Sequence, residues 1–116
     1  MKMIIALIRP ERLDAVEEAL AAVLDEGDNY RITVDTVEGR GRSAGEVEYV
    51  RGREVHVRMV QKTRVMIAVN DAYVEKTIEA IAKAAREGEV GDGKIFVVPL
   101  DEVVRIRTGE RGGKAI

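Results

Sequence analysis

Short apolar stretches alternate with amphipathic helical patterns in this chain, and the alternation occurs twice. Met3 to Ile8 is almost continuously apolar and predicts a buried strand. Pro10 suits the first turn of a helix, and apolar residues then recur at helical spacing from Leu13 to Leu24. The β-branched stretch from Ile32 to Val37 predicts a second strand. The first half therefore reads as a strand, a helix and a strand.

The second half repeats that order. Val65 to Val69 predicts a strand, and Asn70 or Asp71 can cap the helix that follows. The buried stripe of this helix is predicted to be Val74, Ile78, Ile81 and Ala85, with Gly88 after its end. Ile95 to Val98 completes the pattern as a strand. Two such halves build the ferredoxin-like βαββαβ fold of the α+β class, an antiparallel sheet with both helices on one face.

Such a sheet has one face without helices. Ile5, Leu7, Ile67 and Val97 are expected to contribute apolar groups that the two helices do not all cover. A small sheet usually covers its second face by associating with another copy. The pattern therefore predicts an oligomer but not its number of subunits.

Residues 39–58 have no regular period. Gly39, Gly41, Gly45 and Gly52 interrupt the segment, and arginine and glutamate keep it polar. We predict a long loop, and loops of this length in a small domain are uncommon and are usually functional or mobile. The simpler alternative is a β-hairpin with a solvated tip.

The composition excludes several function classes. The chain has 116 residues, which indicates one domain spanning 1–116, and its formal net charge of −2 argues against general binding of nucleic acid or membrane surfaces. There is no cysteine and one histidine, so thiolate and multi-histidine metal sites are excluded. Met1 to Ile8 is too short to cross a bilayer, and no membrane insertion is expected. We predict a cytoplasmic protein.

Two motifs near the end of the chain suggest phosphate binding. Gly91-Asp92-Gly93-Lys94 leads directly into a strand, and glycine lets backbone N–H groups approach a ligand while lysine adds charge. Arg105 and Arg107 are one residue apart, so on an extended chain both would point to the same face. The alternatives are an ordinary turn and solvated edge charges. The motif is not a Walker loop.

These motifs, together with Arg9-Pro10, Gly39-Arg40-Gly41-Arg42 and Arg51-Gly52, resemble the PII family of nitrogen-regulatory signalling proteins, the type associated with ammonium transporters. The resemblance covers essentially the full length. It implies a compact homotrimer with ATP or ADP in the clefts between subunits, magnesium being possible with ATP. It also implies a T-loop at about 39–58, a B-loop at about 87–94 and a C-loop at about 101–116.

The resemblance implies a role for individual residues as well. The implied cofactor-binding positions are Thr33, Gly41, Arg42, Ser43, Lys62, Ala68, Gly91, Asp92, Gly93, Lys94, Arg105 and Arg107. The implied partner-binding positions, for contact with an ammonium transporter, are Tyr49, Arg51, Gly52 and Arg53.

The sequence departs from the family pattern in the T-loop. Ser43 stands where the family has a glutamine that helps hold magnesium and 2-oxoglutarate, and Val55 stands where enterobacterial members have the uridylylated tyrosine. Gln61 replaces the usual proline before Lys62, a residue that would pair with a 2-oxoglutarate carboxylate or simply protect a sheet edge. We predict that 2-oxoglutarate binds weakly or not at all.

Other functions remain open from the sequence. No nucleophile and base are arranged for catalysis, so we predict a regulator rather than an enzyme, with a small ATPase as the alternative. An RNA-binding module would need sheet aromatics and a basic face, and aromatic residues are only 3% of the chain. A PII-like regulator of nitrogenase or of another transporter is the nearest alternative.

Overall fold

A computed structural model describes residues 1–24, 31–41, 48–50, 53–55 and 58–116. Its strands are β1 (Lys2–Ile8), β2 (Ile32–Gly41), β3 (Glu48–Val50), β4 (Arg53–Val55), β5 (Arg58–Val69) and β6 (Gly93–Pro99). Its helices are α1 (Leu13–Val23) and α2 (Val74–Ala85), each preceded by a short 3-10 turn. The predicted order of strands and helices is confirmed.

The main sheet has four strands in the order β2-β5-β1-β6, and every neighbouring pair is antiparallel. The central strand β1 pairs with β5 on one side and with β6 on the other. This order places the first and third main strands at the centre, which confirms the ferredoxin-like α+β fold.

The core lies between the sheet and the two helices. Alternate residues of β1 are buried, with Ile4 and Ala6 fully inaccessible, and they face Leu20 of α1 and Ile81 of α2. Burying one such leucine or isoleucine contributes about 1.5–3 kcal/mol. The predicted stripe of α2 is confirmed at Ile81 and Ala85, while Thr77 is also buried and donates to the Tyr73 carbonyl at 2.7 Å.

Two residues were assigned to the wrong face of the sheet. Ile4 lies directly opposite Ile67 on β5 and Val97 on β6, so the three side chains share the helix-covered face. Ile67 and Val97 were therefore predicted wrongly to lie on the open face. The sequence alone did not reveal the register between strands, which decides the face of every residue in a strand.

The open face is apolar along its middle. Ile5 lies opposite Met66 and Phe96, and the next row toward the amino end of β1 begins with Met3. Phe96 is 47% exposed although it is a large aromatic residue. At the other end of this face Asp35 accepts two hydrogen bonds from Arg64, at 2.9 and 2.5 Å. A single chain thus exposes an apolar strip with charges at one end.

The long polar segment is more regular than predicted. Strand β2 continues through Gly39 to Gly41, opposite Val60 to Arg58 of β5, and the short strands β3 and β4 pair with each other. The prediction of a loop from residue 39 onward is wrong at its base. Glycine disrupts the side-chain pattern, but its backbone still forms ladder hydrogen bonds. Residues 42–47, 51–52 and 56–57 lie outside the described part.

No helix in the described part of the chain has both the length and the apolar character needed to cross a membrane.

Candidate functional site

The glycine turn, which we define as residues 87–94, joins helix α2 to strand β6. Gly91 and Gly93 both have φ of +103°, a conformation that other residues rarely adopt. A Cβ atom on Gly93 would also lie 1.7 Å from the carbonyl oxygen of Leu7. The chain conformation and the close approach of β1 therefore require glycine at position 93, independently of any ligand.

Two arginines from the segment between β1 and α1 hold this turn. The Arg9 Nε lies 3.2 Å from the Glu87 Oε2 and 3.3 Å from the Asp92 Oδ1, and Arg9 also donates to the Val90 carbonyl at 3.1 Å. The Arg12 Nε donates to the Glu87 Oε1 at 3.1 Å. Because Arg9 contacts both Glu87 and Asp92, it links the start of the turn to the region near its end.

The side chain of Asp92 stabilises the turn that contains it. Its Oδ2 accepts hydrogen bonds from the backbone N–H groups of Gly88 at 2.9 Å and Glu87 at 3.1 Å. Its own N–H donates to the Glu89 carbonyl at 3.3 Å. The bond from the Gly88 N–H is the largest cause that lowers the Asp92 pKa, with Glu87 and Arg9 adding to it. The carboxylate thus shapes the turn.

Two lysines lie at the glycine turn. Lys62 of β5 donates a hydrogen bond to the carbonyl oxygen of Gly91. The side chain of Lys94 is exposed and forms no hydrogen bond or ion pair with the described residues. The position of Lys94 is compatible with the prediction that it supplies an available charge beside the glycines. The ammonium group of Lys62, in contrast, is already hydrogen-bonded to a backbone carbonyl.

Residues 100–116, which we call the tail, fold back on the amino end of the chain. The Leu100 N–H donates to the Met1 carbonyl at 3.1 Å, and Asn70 donates from Nδ2 to the Gly113 carbonyl at 3.1 Å. Asn70 was predicted as a possible helix cap, but it makes no capping hydrogen bond with its side chain. The contact with Gly113, which is distant in sequence, takes that side chain instead.

Arg105 and Arg107, the two predicted arginines of the tail, differ in their contacts. The Arg105 Nη1 donates to the Glu110 Oε1 at 2.9 Å, and its Nη2 donates to the Lys114 carbonyl at 3.3 Å. Arg107 is exposed, with no hydrogen bond or ion pair to the parts of the chain that are described. The extended geometry expected for them is wrong, because the chain turns from residue 106 to residue 108.

Both arginines nevertheless line one cavity of about 400 Å³, together with Arg31, Ala115 and Ile116. Arg31 immediately precedes β2 and was not singled out from the sequence. Three arginines line this cavity, and their positive charge suits it to an anion with several phosphate oxygens.

The glycine turn and the arginine cavity are far apart within one chain. Strand β6 begins at Gly93, opposite Ile8, and ends at Pro99, opposite Lys2. Seven residues of strand span roughly 20 Å. The tail begins at the Pro99 end, so one chain does not bring Lys94 and Arg107 together around a single phosphate chain.

The remaining predicted site residues are spread over several strands of the chain and the segments between them. Thr33 lies opposite Met66 and Ala68 opposite Met3, both on the open face nearer the tail, and Gly41 ends β2. Tyr49 and Arg53 lie in the paired strands β3 and β4. Arg42, Ser43, Arg51 and Gly52 lie outside the described residues. No three histidine or acidic side chains within the described ranges converge as metal ligands.

Sequence reasoning missed the contacts that hold these two groups. Arg9 and Asp92 are 83 residues apart, so no local spacing connects them. Glu110 lies only three residues after Arg107, but its contact with Arg105 depends on a turn where an extended chain was predicted. The two arginines of the motif could not be distinguished without that turn.

Comparison with known proteins is consistent with this architecture. The family model for "Nitrogen regulatory protein P-II" matches residues 1–110. The chain is 50% identical to nitrogen regulatory protein P-II of Azospirillum brasilense over 116 residues, which is the full length of both. It is 49% identical to nitrogen regulatory protein P-II 2 of Methanothermobacter thermautotrophicus, over 100% of this chain and 97% of the relative. It is 48% identical to nitrogen regulatory protein GlnK1 of Methanosarcina mazei, over 100% of this chain and 97% of the relative. The resemblance seen in the sequence is confirmed, and the chain belongs to the P-II family of nitrogen regulatory proteins.

Proposed function

We propose that this P-II protein binds ATP or ADP in clefts between the subunits of a homotrimer and transmits nucleotide state to a partner protein. It acts as a cytoplasmic regulator rather than as an enzyme. Magnesium accompanies ATP in this proposal, with no position assigned to it.

The separation of the glycine turn from the arginine cavity carries the proposal. Each group has an exposed cation, Lys94 in one and Arg107 in the other, and neither forms an ion pair with the described residues. A phosphate chain that contacts both needs the turn of one subunit and the tail of another. Association of the subunits buries the exposed apolar strip around Ile5 and Phe96, and this burial favours assembly.

The available groups fit a nucleotide. Lys94 and Arg107 supply charge for phosphates, and Thr33 has a hydroxyl group for a base or sugar. Gly93 keeps the backbone free of a side chain beside Lys94. The Asp92 carboxylate accepts hydrogen bonds within its own turn, so we do not assign it a contact with the ligand.

Mixing two defective subunits tests whether the site is shared. Lys94→Ala and Arg107→Ala should each abolish or strongly weaken ATP binding alone. After the two variants are unfolded together and refolded, about a quarter of the clefts in a random mixture should combine an intact turn with an intact tail. Calorimetry should then recover that fraction of the sites. Failure to recover any binding, with trimers verified by mass, would contradict a shared site.

The partner is proposed to be an ammonium transporter, contacted through Arg51 and its neighbours in residues 39–58. Arg51 offers a long cationic side chain next to a glycine in the sequence, and such a side chain can enter a narrow polar opening. Arg51→Ala should abolish co-purification with the transporter and leave ATP binding intact, whereas the control Lys83→Ala on α2 should retain both. Unchanged co-purification of Arg51→Ala would show that another part of the protein contacts the transporter. No co-purification by the unchanged protein would favour the alternative role, a PII-like regulator of nitrogenase or of another transporter.

A further inference from the structure

The Glu110 carboxylate forms an ion pair with the guanidinium group of Arg105, which lines the arginine cavity of the proposed nucleotide site. The Arg105 Nη1 lies 2.9 Å from the Glu110 Oε1, and the side chains are 29% and 38% exposed. The backbone reinforces the pair, because the Arg105 N–H donates to the Glu110 carbonyl at 2.9 Å and the Gly109 N–H donates to the Arg105 carbonyl at 2.8 Å. The ion pair closes a compact turn in the tail.

Thr108 gives the carboxylate a second contact. Its hydroxyl donates to the same Glu110 Oε1 at 2.9 Å. If Arg105 turned toward another anion, Glu110 would keep this hydrogen bond and its access to solvent. Losing the arginine therefore does not leave a buried charge without a partner, and the exchange costs little.

We infer that Glu110 is an internal competitor for Arg105 that sets the affinity and the selectivity of the proposed nucleotide site. This inference rests on the proposed function. Phosphate oxygens and carboxylate oxygens both accept hydrogen bonds from a guanidinium group. A nucleotide whose phosphates reach Arg105 has to displace Glu110, whereas a shorter nucleotide that contacts only Arg107 does not.

The consequence is discrimination by phosphate charge. A triphosphate replaces one carboxylate with a more highly charged acceptor, so the exchange remains favourable. A monophosphate that does not reach Arg105 neither gains from this residue nor opposes Glu110. Removing the charge of Glu110 should therefore strengthen binding of ATP and leave binding of AMP unchanged.

The test compares Glu110→Gln with a matched control in the same tail. Glutamine preserves the size of the side chain and keeps an oxygen for Thr108 but removes the charge. The control is Glu102→Gln, because Glu102 pairs with Arg111 at 3.7 Å and does not contact Arg105. Glu110→Gln should bind ATP about two- to fivefold more tightly, the range expected for an exposed ion pair. Glu102→Gln should bind ATP as the unchanged protein does.

A double variant completes the test. In an Arg105→Ala background, Glu110→Gln should give no gain in ATP affinity, because the competition needs both partners. Weaker ATP binding by Glu110→Gln would overturn the inference and make Glu110 a residue that positions Arg105. An equal gain from Glu102→Gln would also overturn it, since general charge would then explain the effect. Failure of the unchanged protein to bind any nucleotide would instead contradict the proposed function.

Discussion

The Asn70 side chain donates a hydrogen bond to the carbonyl oxygen of Gly113 at 3.1 Å and so ties the tail to the end of β5. A Cβ atom on Gly113 would lie 2.5 Å from the Asn70 Oδ1, which shows how closely the two segments pack. The end of the central strand pair therefore sets the position of the tail, and with it the arginine cavity.

Asn70→Asp should loosen the tail, because aspartate keeps the size of the side chain but loses the donor. We expect the free energy of unfolding to fall by about 0.5–1.5 kcal/mol, the range for one hydrogen bond. Chemical denaturation measures this, and amide exchange of residues 103–112 should accelerate. Exchange that is unchanged in the tail and faster only in α2 would mean that Asn70 acts on the helix instead.

Gly93→Ala should destabilise the protein far more than Gly88→Ala. Both glycines have positive φ, but only the Cβ at position 93 would collide with the backbone of Leu7. We expect a loss of about 1 kcal/mol at position 88 and more than about 3 kcal/mol at position 93, where the strand must move. Thermal unfolding compares the two, and equal losses would contradict the close approach of β1.

Asp92 should contribute to acid unfolding. Its pKa in the folded protein is lowered, so the stabilisation is present above the unfolded-state pKa and is lost as the pH falls through the folded value. Stability should decline from about pH 4 downward. Asp92→Asn should make this decline shallower, and the exposed control Asp14→Asn should leave it unchanged. A decline that is equally steep in Asp92→Asn would assign the acid sensitivity to other carboxylates.

Phe96→Glu should prevent assembly of the subunits. The side chain lies on the open face opposite Ile5, and a carboxylate there would be buried without a partner if another copy covered that face. Sedimentation should detect a smaller species. Val34→Glu is the control, because Val34 is also exposed but lies opposite the buried Val65, on the helix-covered face. Unchanged mass of Phe96→Glu would show that assembly uses another surface.

Binding of 2-oxoglutarate should be weak or absent. Serine at position 43 has a side chain two heavy atoms shorter than glutamine, and magnesium requires near-ideal octahedral geometry at short distances. Lys62 is bonded to the Gly91 carbonyl, so it would have to leave this contact to bind a ligand carboxylate. Calorimetry with magnesium and ATP tests this. Ser43→Gln should strengthen binding, and tight saturable binding by the unchanged protein would contradict the prediction.

The order of strands and helices, the buried stripes of α1 and α2, and the family all followed from the sequence by itself. Periodicity in Leu13 to Leu24 and in Val74 to Ala85 is a local property, because the side chains on one helical face recur at fixed spacing. The glycine turn and the pair Arg105 and Arg107 were also visible, since each lies in a short contiguous segment.

Only the tertiary structure decided the faces, the partners and the distances. The register of β1 against its neighbours moved Ile67 and Val97 to the helix-covered face, and ladder hydrogen bonds extended β2 through Gly39. The fold also used the Arg9 and Glu110 side chains to hold the two motifs, and it placed these motifs at opposite ends of β6. These outcomes depend on contacts between residues far apart in the sequence, and local spacing carries no information about which distant groups will meet.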